Sequence, residues 1–213
     1  MGMRTYDGLA RLARRAQTLR PDNTPAPALF ILTDPARTPD PVTLAEHLPE
    51  GSGLILRTYG RASIEAAAFP LAEIARRRGF ALLISADPDL AARAGADGVH
   101  WPQWSLMQAH RPWPGALVTA SAHDPHALRR AQKLADAVLV STVFPSKSPS
   151  AGRPMGAFRL AAWARRSPAP VYGLGGVTST TVRRLRGLGL SGVASVGAGV
   201  GVAGEAVIQP PEH

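Results

Sequence analysis

Beyond residue 28 the chain alternates between two hydrophobic rhythms. Short apolar runs stand at 29–33 (LFILT), 54–57 (LILR), 81–84 (ALLI), 97–99 (DGV), 116–120 (ALVTA), 136–140 (DAVLV), 170–174 (PVYGL) and 192–196 (GVASV). Stretches compatible with helical spacing separate most of them, at 41–48, 62–78, 88–95, 103–110, 124–134, 156–166 and 178–187. Several open on a side chain suited to cap a first turn: Ser63, Asp89 before LAARAG, Asp124 with Pro125 behind it, and Thr178.

Eight strands alternating with helices indicate parallel β-α units. An open doubly wound sheet usually carries its glycine-rich loop after the first strand, but here that strand ends LTDPART. The glycines gather after the seventh and eighth runs instead, in GLGGVT and SVGAGVG, where a closed barrel places its phosphate site. The expected fold is therefore α/β, a small closed (β/α)8 TIM barrel. Ahead of it Leu9, Leu12, Ala13, Ala16 and Leu19 keep helical spacing, which predicts an amphipathic helix over about 4–19. With the proline-rich linker RPDNTPAPA, residues 1–24 form a helix and linker, and 25–213 a single barrel domain. The helix either covers the bottom of the barrel or packs on a second subunit, which leaves a homodimer open.

Composition narrows the chemistry. Hydrophobic residues make up 45% and charged ones 18%, an ordinary globular balance. With no cysteine, disulfides, zinc-thiolate sites and thiol catalysis drop out. The net charge is +9, and only Lys133 and Lys147 of the basic residues are lysines. The arginines are scattered over helices with few aromatics between them, which reads as solvated helix faces rather than a nucleic-acid surface. The positive field favours an anionic ligand. No apolar stretch is long enough for a membrane span and no signal peptide is recognisable, so the expected location is the cytoplasm.

Gly175 and Gly176 follow a predicted strand and precede a helix start, so their N–H groups are placed to approach an anion, as are those of Gly197 and Gly199. Tight β-α turns would use the same glycines.

The segments LFILTD, DLAARAGADGVHWPQ, SAHDPHALRRAQKLADAVLVSTVFPSKS, PVYGLGGVT and GVASVGAGV, in that order and spacing, resemble the thiamine phosphate synthase and TenI superfamily over roughly residues 29–200. The resemblance implies a phosphorylated small-molecule ligand, a thiazole phosphate or thiamine phosphate. Synthases join a pyrimidine pyrophosphate to a thiazole phosphate with Mg²⁺; TenI relatives isomerise a thiazole carboxylate phosphate without metal.

Carried over residue by residue, the resemblance keeps some positions and loses others. Arg57 survives after strand two, whereas Ile55 and Tyr59 replace a pyrimidine-contacting Gln and a Lys. Ser85 and Ala86 stand where the family has Asn-Asp, and Ser105 where it has a second metal carboxylate; Gln103 is retained. In the loop after strand six, Ser146, Ser148 and Pro149 take the places of two Thr and a Lys, with Lys147 and Arg153 nearby. Gly176, Gly197 and Ala198 match the phosphate cup. His123 matches the TenI acid/base histidine, and His100 matches a family histidine with a structural reading of its own. Mg²⁺ takes hard oxygen ligands and usually one or two carboxylates, which Ala86 and Ser105 do not supply, so Asp87, one residue past the usual position, is the candidate to hold a metal. The resemblance thus implies a barrel that needs no cofactor, with Mg²⁺ entering only if synthase activity is kept. A metal-free isomerase, a diverged synthase and a non-catalytic binder all remain open.

Overall fold

The computed structural model describes residues 3–21, 24–146 and 152–197. Its eight parallel strands are β1 (Leu29–Leu32), β2 (Gly53–Leu56), β3 (Ala81–Ser85), β4 (Gly98–Trp101), β5 (Leu117–Ala122), β6 (Ala137–Val140), β7 (Val171–Leu174) and β8 (Gly192–Val196). They lie in sequence order and close into a barrel. Closure is made by β1, which sets Phe30 opposite Gly53 of β2 and Leu29 opposite Val193 of β8.

Alternation along each strand divides the apolar residues into two layers. Phe30, Ile55, Leu83, Leu139, Tyr172 and Ala194 fill the barrel, while Leu54, Leu82, Val99 and Val138 belong to the layer shared with the helices. Phe30 and Tyr172 meet edge to face, 5.5 Å between centroids. A Cβ on Gly53 would run into the Phe30 ring, and one on Gly192 into that of Tyr172, so these strand glycines make room for the aromatic plug. Two residues beyond Ile55, Leu83 and Leu139 on the same inward face come Arg57, Ser85 and Ser141. The plug closes the barrel below a polar mouth at the carboxyl ends of the strands.

The helices are α1 (Met3–Gln17), α2 (Pro41–Ala45), α3 (Ala62–Glu65), α4 (Ala68–Arg78), α5 (Pro88–Ala94), α6 (Pro125–Ala131) and α7 (Ala157–Ala164). Helix α1 packs on β1 and β8 and on the turn at 181–185, burying Leu9, Leu12 and Ala16. Its Arg15 donates to the Ser179 carbonyl, and its Tyr6 stacks on His47 at 3.8 Å. Among the described residues, no helix is long and apolar enough to cross a membrane.

Several local expectations change. The cap of α5 is Asp87, whose side chain accepts from the Leu90 N–H at 2.8 Å; Asp89 lies in the first turn. Pro88 decides this, because proline suits the first helical position and leaves the residue before it as cap. The same Asp-Pro start recurs at Asp40 and Asp124. Ser63 lies inside α3 and does not cap it. The stretch 62–78 is broken at 66–67, just ahead of Pro70, which has no N–H to give to the preceding turn. The stretches 103–110 and 178–187 shrink to 3-10 turns at Gln103–Ser105 and Thr181–Leu185.

Candidate active site

The mouth of the barrel gathers chemistry from β2 to β8. On the β5 side, His123 follows the strand directly and is exposed. Its Nδ1 lies 2.7 Å from Ser141 Oγ, at the end of β6. Its backbone N–H donates to Gln103 Oε1 at 2.6 Å, and Gln103 Nε2 donates to Asp124 Oδ2 at 2.8 Å. Asp124 in turn caps α6 through the N–H groups of His126 and Ala127. The Ala127 N–H holds the Asp124 carboxyl below its ordinary range against the opposing effect of burial, with Gln103 and His126 adding to the lowering. Gln103, expected to touch ligand, commits both ends of its amide to the His123 turn.

His100 is a different case. It is 2% exposed, with Nδ1 2.8 Å from Thr119 Oγ1 and Nε2 2.9 Å from Ser121 Oγ. Burial, and then the charge of Arg57, push its pKa down to about 3. The ring is neutral near pH 7, one nitrogen donating and the other accepting. The structural reading of His100 therefore describes it well.

Arg57 is tied to the β1 side of the mouth. Its Nε donates to the Thr33 carbonyl at 2.6 Å, and a terminal nitrogen lies 3.3 Å from Asp34 Oδ2. Tyr59 sits in the left-handed region at φ 53, with its ring centroid 5.3 Å from the guanidinium carbon. Burial raises the Tyr59 phenol and lowers the Arg57 guanidinium from their usual values.

The family's metal positions do not fit a divalent cation in this chain. Ser85 ends β3, and Ala86, at φ 56, presents a methyl group. That left-handed conformation suits Asn or Asp better than Ala, so the backbone keeps a shape whose usual side chain is gone. Asp87 is engaged as a helix cap, and the Ser105 hydroxyl donates to the Pro102 carbonyl at 2.9 Å. Among the described residues no three of His, Cys, Asp or Glu come together as metal ligands.

The glycine loops lie across the mouth. Gly175 and Gly176 have φ 93 and 64. A Cβ on Gly176 would approach the Phe144 carbonyl oxygen to 2.7 Å, so the β6 loop itself requires this glycine. Thr181 Oγ1 accepts from the Thr178 N–H and donates to the Gly176 carbonyl, both at 2.9 Å, while Thr178 Oγ1 accepts from the Thr180 and Thr181 N–H groups. The N–H groups of Gly176 and Val177 donate to no other described residue. Gly197, at φ 68, follows β8. Ser146 begins the β6 loop, whereas Lys147, Ser148 and Ala198 lie outside the described residues, as do Pro149 and Gly199.

Sequence reasoning missed Ser141, Asp34 and the Thr119–Ser121 pair. The signal for Ser141 was present: Ser121 pairs with Leu139, and two residues further the same register brings Ser141 level with His123.

A family model described as thiamine monophosphate synthase matches residues 29–198. A putative thiamine-phosphate synthase of Geobacter sulfurreducens is 33% identical over 127 residues, covering 57% of this chain but only 60% of that protein's length. A thiamine-phosphate synthase of Bacillus velezensis is 27% identical, with 79% of this chain and 81% of the relative covered. Among solved structures, a thiamine phosphate pyrophosphorylase from Pyrococcus furiosus superposes with a TM-score of 0.66 at 20% identity, covering 85% of this chain and 87% of that one. At that identity the superposition speaks for the fold.

Proposed function

Because the chain belongs to the thiamine monophosphate synthase family, we propose that it serves thiamine biosynthesis by binding a thiazole phosphate or thiamine phosphate over the mouth of its barrel, and that it isomerises a thiazole carboxylate phosphate without a metal ion. One observation carries this reading: an exposed histidine, His123, is anchored on Ser141 and Gln103 in a mouth whose family metal positions hold Ser85, Ala86 and Ser105. The phosphate lies against the N–H groups of Gly176 and Val177, which donate to no other described residue, with Gly175 and Gly197 allowing close approach. The Arg57 guanidinium supplies positive charge.

At Nε2, His123 takes a proton from a ring carbon and returns it to the carboxylate-stabilised anion that this leaves. Nε2 is free to take the proton when Nδ1 carries the ring hydrogen, so the Ser141 hydroxyl accepts from Nδ1–H both before and after the transfer. Gln103 acts as a positioning residue, holding the backbone of His123 rather than the substrate. No cofactor enters the step.

A diverged synthase is the second reading, favoured by the names of the relatives. A parallel assay decides between them: isomerisation and thiamine phosphate formation, each in EDTA and in Mg²⁺. The proposal predicts isomerisation in both buffers. Thiamine phosphate formed only in Mg²⁺ would replace it with the synthase, and ligand binding without either reaction would leave a phosphate-ligand binding protein.

A further inference from the structure

The loop joining β1 to α2 carries features the proposed reaction does not use. Asp34 folds it back on itself: its carboxylate accepts from the Ala36 N–H at 3.1 Å, and its carbonyl from the N–H groups of Arg37 and Thr38 at 3.1 and 2.6 Å. This turn lays Arg37 and Thr38 against Gly197, the first residue past β8. A Cβ on Gly197 would stand 3.1 Å from Arg37 Cβ and 3.7 Å from Thr38 Oγ1. Thr38 is 8% exposed, and its hydroxyl is a buried side-chain polar atom without a hydrogen-bond partner among the described residues. An orphaned buried hydroxyl calls for an explanation, and a bound group that completes it is one.

Arg37 is exposed and pairs with no carboxylate among the described residues. It stands in the loop that follows the carboxyl end of β1, the end of the barrel that also bears Arg57. Arg57 is already partly neutralised by Asp34, so Arg37 is the less committed cation of the two. A phosphate or pyrophosphate arriving without Mg²⁺ needs counter-charge, and a guanidinium matches its oxygens.

We infer that Arg37 and Thr38 are anion contacts that close the phosphate cup on its β8 side, so that the chain holds a phosphorylated or pyrophosphorylated small molecule with guanidinium and hydroxyl groups in place of a carboxylate-bound metal. The inference rests on the phosphate-binding reading above, and its test separates the two. Inorganic pyrophosphate and orthophosphate are titrated calorimetrically, in EDTA and in Mg²⁺, into the full chain and its R37Q, T38V and R93Q variants. Arg93, in the last turn of α5, controls for the loss of one positive charge. The expected result is binding that does not depend on Mg²⁺, weakened about 10-fold or more by R37Q and changed less than about twofold by R93Q. T38V weakens binding too, yet raises the melting temperature of the ligand-free protein, because valine removes an unpaired buried hydroxyl. That split would not follow from a purely structural threonine. If the unaltered protein binds the anions and both R37Q and T38V bind them equally well, the inference fails while the phosphate cup stands. If the unaltered protein binds neither anion, both fail.

Discussion

Both ring nitrogens of His100 are met by hydroxyls inside the barrel, and burial holds its pKa near 3. In the unfolded chain the same group titrates near 6.5. Between these values the unfolded state binds the extra proton, so the contribution of neutral His100 is full above about pH 6.5 and is lost as the pH falls toward 3. Urea unfolding at pH 7, 6 and 5 should show stability falling by up to about 1.4 kcal/mol per unit from this group, with H100Q flattening the slope. An unchanged slope in H100Q would assign the pH dependence elsewhere. Gly176 makes a second test at this scale. Its left-handed φ and the nearby Phe144 carbonyl predict that G176A loses about 2 kcal/mol or more in the same experiment, whether or not ligand is present.

Among the elements, the Asp-Pro pairs at 40, 87 and 124 show how a local signal fixes a boundary. D87A should destabilise by about 1 kcal/mol through loss of the cap, while D89A should stay within about 0.5 kcal/mol; thermal melts of the two variants check this. Equal effects would mean that the cap has been assigned to the wrong residue. The strands were legible in the sequence because each is a short run buried on both faces, and all eight occur where the runs stand. Helices were less so. At 103–110 the apolar spacing suggested one, but Trp104 and Met107 are exposed, and the Trp101 indole donates to the His110 carbonyl, closing the segment as a loop. At 178–187 the Thr178–Thr181 hydroxyl exchange tightens the start into a 3-10 turn, and Gly187, at φ 73, ends it. Periodicity reports which side chains are apolar; it does not report whether a neighbouring layer is there to bury them.

Across the whole molecule, the barrel brings the ends of distant strands to one mouth, and there the sequence was informative in an uneven way. The eight alternating runs, with glycines gathered after the seventh and eighth, predicted the closed barrel, and the resemblance placed His123 and the glycines on it residue by residue. The partners that define their roles came from strands far apart in the chain: Ser141 for His123, Asp34 for Arg57, and Arg37 with Thr38 against Gly197. The result is a mouth with an anchored histidine and guanidinium groups, but with serine and alanine at the family's carboxylate positions. Turnover of a thiazole carboxylate phosphate in EDTA, followed by proton NMR for the full chain and its H123Q variant, tests that account most directly. It predicts isomerisation in EDTA that falls by about 10²–10⁴-fold in H123Q. An inactive protein in EDTA that forms thiamine phosphate once Mg²⁺ is added, or an H123Q variant that isomerises at the full rate, would contradict it.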